Sequence, residues 1–461
     1  MATQRSNKPI GSRLAARDGF TSGLGVLLAT LGSAVGLGNI WKFPSLTGTN
    51  GGAAFIIVYL ISTLLVGLPV MIAEHVMGRT ARADAITTLR KLAPGKLWWL
   101  VGAAGVLASF LIMAFYTEVA GWVFAYIVKA VTGGILSTDP AVTGQAFADL
   151  IASPSQSLLW QWIVLAWVGL IIALGVSKGI ERVTKRLMPI LLGLLVIICI
   201  RSLTLPGAAE GLKFLFNPDF TKLTGPVVLA AMGLSFFKLS VGMGTMITYG
   251  SYFREDQNIP ATAARVMLAD LTVSILAGIA IFPAVFSYGF EPGAGPSLLF
   301  ITIPSVFASM PLGQVFMIMF FILTAIAATG AMLSLLEVPV AFLNEKLRLP
   351  RVTATIVTVV LLALVGSTAA LSSSTLASTK VLGKTFFDLF DFATSNVLLP
   401  VGGFFITLFV GWVWGKAQVM NALTNQGALK NERIVNLFIG VCKFVTPVLV
   451  FIVLLNGLGL F

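Results

Sequence analysis

The chain has 461 residues, 57% of them hydrophobic and only 10% charged, with 30 Lys and Arg against 18 Asp and Glu for a net charge of +12. That composition excludes an ordinary soluble domain and places the chain in a membrane. The positive balance invites a nucleic-acid partner, but its placement argues against one. Basic residues collect in alternate gaps between apolar runs: Arg13 and Arg17; Arg79, Arg82, Arg90 and Lys91; Lys178, Arg182, Lys185 and Arg186; Lys346, Arg348 and Arg351. The gaps between these carry few charges, such as Lys213 and Lys222. This is the positive-inside pattern, and it sets the N-terminus in the cytoplasm.

The first eighteen residues are polar and lead into the first apolar run without a cleavable signal. That run, 21–44, contains Gly32-Ser33-Ala34-Val35-Gly36-Leu37-Gly38-Asn39. An uninterrupted helix would carry Ala or Leu here, because each interior Gly costs about 1 kcal/mol. With Asn39 and Pro44, the glycines predict a place where the helix opens. Opened backbone survives in lipid only where it is buried in protein or lines a cavity, and there its carbonyls and amides can hold a cation or a substrate head group. Taken alone, these residues also read as a glycine-rich packing face.

Further apolar windows follow at 52–76, 97–130, 158–176, 184–203, 225–252, 266–290, 313–343, 351–371, 383–414 and 434–460. Each is long enough to span. The prediction is an all-α polytopic membrane protein of eleven transmembrane helices, which leaves the C-terminus outside. His75, just past an apolar run, reads as a helix-end residue without partners for a metal. Cys199 and Cys442 lie in apolar runs and give no disulfide framework. Between spans seven and eight, 298–311 is apolar but broken by Pro304 and Pro311, and reads as a re-entrant outer lid. The sixth span carries Gly242-Met243-Gly244, a second breakable point, and one charge, Lys238. A charge at that depth costs several kcal/mol unless paired or hydrated, and Asp270 in the seventh span is its natural partner. A static buried ion pair is the plainer reading of the two.

The run Gly36-Leu37-Gly38-Asn39-Ile40-Trp41-Lys42-Phe43-Pro44, followed by Asn50-Gly51-Gly52-Ala53-Ala54-Phe55, resembles the first-helix signature of the neurotransmitter:sodium symporter family. Later segments extend the resemblance over most of the chain. It implies two inverted five-helix repeats, 19–203 and 225–415, with broken first and sixth helices. A cytoplasmic segment, 1–18, would precede them, an extracellular loop, 204–224, would join them, and an eleventh span would follow in 416–461. The resemblance also implies a secondary transporter working by alternating access. An enzyme is the least supported class, since no nucleophile–base pair, metal set or phosphate loop falls at the midplane.

Residue by residue, the resemblance assigns an inner gate to Arg17 and Glu345, with Phe20 beside them. It assigns an outer gate to Lys42 and Asp391, where a Lys replaces the family's Arg and loses its bidentate fork. Tyr116 matches the substrate-capping Tyr, Phe237 the outer lid over the ligand, and Ser240 a polar pocket group. The implied pocket is Ser33, Ala34, Gly36, Gly38, Ile112, Tyr116, Phe237, Ser240, Met243, Ala331 and Leu335. In relatives, glycines on both sides of the Met243 position go with large, often aromatic, substrates. Monoamine transporters carry an Asp at the Gly36 position, and its absence argues against biogenic amines.

Two departures from the family pattern bear on ions. Lys238 stands where a Ser or Thr coordinates the first sodium, so the expectation is that its ammonium replaces that ion, held by Asp270, Asn39 and the Ala34 carbonyl. The second site would use the Gly32 and Val35 carbonyls, but its hydroxyl positions fall on Gly330 and Ala331, unless a one-residue slip brings in Thr329. The simpler expectation is that sodium is not required. Ser274 and Tyr59 match chloride-site positions, which leaves a chloride beside Lys238 as the weaker ion reading. For coupling, either Lys238 titrates during the cycle or the protein is a uniporter, the simpler of the two. The function expected is transport of hydrophobic or aromatic amino acids, or indole-like solutes, across a bacterial inner membrane by a monomer or loose dimer. The rivals are a sodium-coupled symporter retaining one site and a membrane sensor that binds without moving its ligand.

Overall fold

A computed structural model of the chain describes residues 18–290 and 298–460. Those residues are mostly helical, with no strand among them. Among the described residues, nine helices are long and apolar enough to cross a membrane: Ala53–Ala81 (α2), Trp99–Val131 (α3), Pro154–Ala173 (α4), Val176–Leu203 (α5), Ile259–Ser287 (α7), Gly313–Lys346 (α8), Arg351–Ala370 (α9), Phe386–Val413 (α10) and Glu432–Gly457 (α11). Gly23–Ala34 and Gly38–Thr49, bent by 51° at their junction, form α1. Gly225–Lys238 and Thr245–Gly250 form a split α6. The all-α polytopic architecture expected from composition is the one observed, with both predicted interruptions in place.

Each interruption has a local cause. The first half of α1 is capped by the Ser22 hydroxyl, which accepts from the Gly25 amide at 3.0 Å, and it stops where Val35 turns extended. The α6 break runs from Leu239 to Gly244. Gly242 and Gly244 have φ of +79° and +75°, a region open to glycine but strained for other residues. Ser240 also sits at positive φ, a strained position for a residue with a side chain.

Two boundaries differ from the sequence reading. Helix α5 begins at Val176 rather than near 184, because its charged first turns are tied down: Glu181 accepts from the Thr21 amide at 2.7 Å, from the Thr21 and Ser22 hydroxyls, and from Lys185 at 2.6 Å. His75 is not a helix-end residue. It is fully buried in the interior of α2, its ring 4.7 Å from that of Phe253. Charge placed the start of α5 in a loop and His75 at a helix end, whereas the Glu181 contacts and the burial of His75 put both inside helices.

Leu298–Ala308 forms a buried segment packed over the C-terminal half of α3. Its Phe300 stacks on Phe147 at 4.9 Å, and Tyr126 donates its hydroxyl to the Phe300 carbonyl at 3.1 Å. Helices α3 and α8 share the most extensive interface and form the centre of the bundle. The outer surface of the spans is studded with exposed Ile61, Leu64, Leu170, Ile197, Leu364 and Phe451, an apolar belt suited to lipid.

Close backbone approach fixes the split α6 in place. A Cβ on Gly78 of α2 would lie 1.9 Å from the Ile247 carbonyl, and one on Gly402 of α10 would lie 2.4 Å from the Gly242 carbonyl. Gly78→Ala is therefore expected to lower the thermal midpoint in detergent by an amount equivalent to roughly 1–3 kcal/mol. Gly193→Ala, with nothing within 4 Å of its added carbon, should leave the midpoint unchanged or raise it. Equal responses from the two variants would contradict the close approach.

Candidate functional site

The two breaks face each other, and side chains from neighbouring helices answer the backbone groups they free. Ser240 donates to the Ser33 carbonyl at 2.8 Å, linking the α6 break to the α1 break. The Leu37 amide donates to the Tyr116 hydroxyl at 2.9 Å, and the Gly36 amide to Asn39 Oδ1 at 3.2 Å. On the α6 side, Glu74 accepts from the Gly242 amide at 2.6 Å and the Ile247 amide at 3.3 Å, while Ser109 donates to the Met243 carbonyl at 2.6 Å. Between the breaks lies a cavity with about 20 Å³ of free space, room for about one water. All eleven residues expected for the pocket line it: Ser33, Ala34, Gly36, Gly38, Ile112, Tyr116, Phe237, Ser240, Met243, Ala331 and Leu335, joined by Lys238.

Lys238 is fully buried, with its ammonium 3.0 Å from Asp270 Oδ2 and hydrogen-bonded to the Ser274 hydroxyl. The rings of Tyr59 and Phe43 flank it, with centroids at 4.7 and 4.8 Å. Asp270 is oriented in turn: Asn39 Nδ2 donates to its Oδ1 at 2.6 Å, and the Tyr59 hydroxyl to its Oδ2 at 3.4 Å. The pairing with Asp270 follows the expectation, but the rest of the expected cage does not. Asn39 Oδ1 accepts from the Gly36 amide and its Nδ2 donates to Asp270 and Ser274, so Asn39 holds the partners of the ammonium rather than the ammonium itself. Ser274 takes the role expected of the Ala34 carbonyl, and Ala34 lines the cavity.

The two hydroxyls expected at the chloride position are engaged with Asp270. Ser274 gives its one hydroxyl hydrogen to the Asp270 carbonyl at 2.9 Å, and Tyr59 gives its own to the Asp270 carboxylate.

At the second ion position, Gly330 presses directly on α1. A Cβ there would lie 2.5 Å from the Gly32 carbonyl oxygen. Ala331 offers only a methyl to the cavity, and Thr329 turns its hydroxyl back onto the Ala325 carbonyl at 2.8 Å. Instead Ser33 donates to Ser334 at 2.7 Å, joining α1 to α8. Sequence reasoning passed over Ser334, although it lies four residues beyond Gly330 and so on the same face of α8.

The outer gate pair is not formed. Lys42 lies over the Phe237 ring, 4.3 Å from its centroid, while Asp391 accepts from Ser395 at 2.8 Å. An ammonium is a point donor that an aromatic face can satisfy, so replacing Arg by Lys loosens the pairing. At the inner side, Arg17 lies outside the described residues. Glu345 accepts from the Asp84 amide at 2.8 Å. Phe20 is buried against Tyr249 and Tyr252, with centroids at 5.6 and 6.1 Å.

Removing one partner of a buried pair strands the other charge, at about 3–5 kcal/mol. Asp270→Asn should therefore depress the thermal midpoint and the yield sharply. The double variant Lys238→Met with Asp270→Asn should recover most of that loss. A double variant no more stable than Asp270→Asn alone would show that the two side chains are not energetically coupled.

The family model described as "Sodium:neurotransmitter symporter family" matches residues 17–139 and 151–460. The chain is 41% identical to the uncharacterized sodium-dependent transporter YhdH of Bacillus subtilis, over 96% of this chain and 98% of that one. It is 34% identical to an uncharacterized sodium-dependent transporter of Haemophilus influenzae, with the same coverage of each. Among solved structures, MhsT in complex with L-phenylalanine superposes with a TM-score of 0.88 at 44% identity, covering 96% of this chain and all of that one. With its two broken helices facing one cavity, the chain belongs to the sodium:neurotransmitter symporter family, and is a multi-pass membrane transporter rather than an enzyme.

Proposed function

We propose that the chain carries hydrophobic amino acids, aromatic ones foremost, across a bacterial inner membrane by alternating access, with the Lys238–Asp270 pair in place of the first sodium ion. In this reading the N-terminus is cytoplasmic, and 19–203 and 225–415 are the two repeats that move around the site.

The observation that carries it is the Lys238 ammonium, 3.0 Å from Asp270 beside an apolar cavity formed by both helix breaks. Ile112, Phe237, Met243 and Leu335 offer apolar burial, which supplies most of the affinity in such sites. Tyr116 accepts from Leu37 and keeps its hydroxyl hydrogen for a substrate carboxylate. Asp270 neutralises Lys238, so the site favours a zwitterion or an uncharged ligand such as an indole over a cation. A side chain at Gly36 would lie 2.9 Å from both the Tyr116 hydroxyl and the Ala331 methyl, filling the space an amine-binding Asp would need. MhsT, solved with L-phenylalanine, supports the substrate class by relation. The free space of about 20 Å³ is too small for a phenyl ring, so entry requires the walls to part, which broken helices permit.

Relatives carry "sodium-dependent" in their names. Here neither Gly330 nor Ala331 offers a side-chain oxygen, and an ammonium fills the first position. In proteoliposomes, labelled phenylalanine should exchange against unlabelled phenylalanine, and indole should compete. Replacing sodium by choline should change the initial rate by less than about twofold. A tenfold fall without sodium would defeat the sodium-free reading while leaving transport intact. Binding without exchange would favour the sensor.

A further inference from the structure

Four carboxyl groups lie deep within the spans, and three have partners. Glu74 accepts from two backbone amides, Asp270 pairs with Lys238, and Glu337 takes Arg351 at 2.6 Å together with the Tyr252 hydroxyl. Glu118, midway along α3, is 1% exposed and its Oε2 has no hydrogen-bond partner. Nor does any ion pair reach it among the described residues. An unpaired ion in that setting costs several kcal/mol, which marks an intramembrane acid as a functional group rather than filler.

Its surroundings are polar but incomplete. Trp122, one turn along α3, has its Nε1 buried without an acceptor. On α4, Gln161 donates to the Ala114 carbonyl at 3.2 Å and to Thr117 at 3.3 Å, leaving its Oε1 unpartnered. By helical spacing Glu118 falls between two faces of α3. One carries Phe115, packed on Phe387 of α10, and the other carries Gly121, packed on Trp160 and Gln161 of α4.

Every charged group on the elements packed against α3 is engaged elsewhere or lies at an end of its element. Helix α4 has none, and α9 has only Arg351 at its start, on Glu337. Helix α8 has Glu337, with Glu345 and Lys346 at its end, and Glu345 accepts from Asp84. Helix α10 has Asp388 and Asp391, bound by Thr385 and Ser395. The short helix Ala85–Leu92 has Arg90 and Lys91 in its last turn, behind Asp84 at its cap.

The substrate cavity does not reach Glu118. A proton is the ligand that needs no room. Resting on the transport reading above, we propose that Glu118 is a proton-binding site that couples substrate movement to a proton gradient. In the closed packing the carboxyl holds its proton. When α3 shifts against α4 and α10 and water reaches the group, the O–H bond breaks, the electron pair stays on oxygen and the proton passes to water. Helix α3 also bears Tyr116, which holds the Leu37 amide at the α1 break, so one rigid element links the acid to the substrate site. Lys238, held by Asp270 and Ser274 together, stays charged throughout and is not the coupling group.

The test follows exchange of labelled phenylalanine and lumenal pH in the same proteoliposomes. Wild type should exchange substrate, change lumenal pH during net uptake, and accumulate substrate up to about tenfold under a one-unit pH gradient at one proton per substrate. Glu118→Gln should keep exchange but lose both the pH change and the gradient-driven accumulation. Glu118→Asp, which keeps the acid but draws it back by one methylene, should retain accumulation with a shifted pH profile. Proton movement by Glu118→Gln equal to wild type, an unshifted profile for Glu118→Asp, or wild-type uptake without any pH change overturns the inference and leaves transport standing. Absence of exchange in wild type overturns both.

Discussion

An ammonium wedged between two aromatic rings in the middle of a membrane persists because Asp270 lies 3.0 Å away and is itself held in place. Asp270 takes Asn39 on one oxygen and Tyr59 on the other. Asn39 then has its carbonyl oxygen left for the Gly36 amide, a group that exists only because α1 is broken. One ion pair thus ties α1, α2, α6 and α7 together at the level of the cavity. A mobile cation in that position would come and go with its concentration. A tethered one stays with the chain.

The seam between α1 and α8 reaches the same end by other means. Where a bound ion would need oxygens from both helices, the Gly32 carbonyl meets Gly330 so closely that no side chain fits, and Ser33 bridges to Ser334. Ser33 also accepts from Ser240 through its carbonyl, so a single residue joins α1, α6 and α8. The two replacements are consistent with one another. An ammonium lies on one side of the α1 break, and a close helix contact lies on the other.

Much of the site was legible in the sequence, because glycine, proline and intramembrane charge are costly and therefore informative. Gly36, Gly38, Gly242 and Gly244 marked the breaks, Lys238 named Asp270 as its partner, and the pocket residues all converged. What was not legible depended on counting donors and acceptors. Asn39 was expected on the ammonium, yet its Oδ1 faces the Gly36 amide, and the Ser274 and Tyr59 hydroxyls donate to Asp270. Lys42 was expected on Asp391, but nothing in the sequence shows that the Phe237 ring lies nearer. The start of α5 was missed because Lys178, Glu181 and Arg182 read as a solvated loop until their tertiary partners are known.

Glu118 illustrates the limit most sharply. By type and depth it looks no different from Glu74 or Glu337, and hydropathy treats all three as isolated interruptions of an apolar run. Only the partners separate them. Two backbone amides hold Glu74, a guanidinium holds Glu337, and the Oε2 of Glu118 has nothing. A leucine or glutamine in its place would fill comparable volume without the cost of an unpaired acid. An acid in that position is a group whose charge can change, and α3, which carries it, is the helix whose Tyr116 reads the state of the α1 break. The proposed coupling rests on that pairing, a titratable group on the same helix as a residue of the substrate cavity.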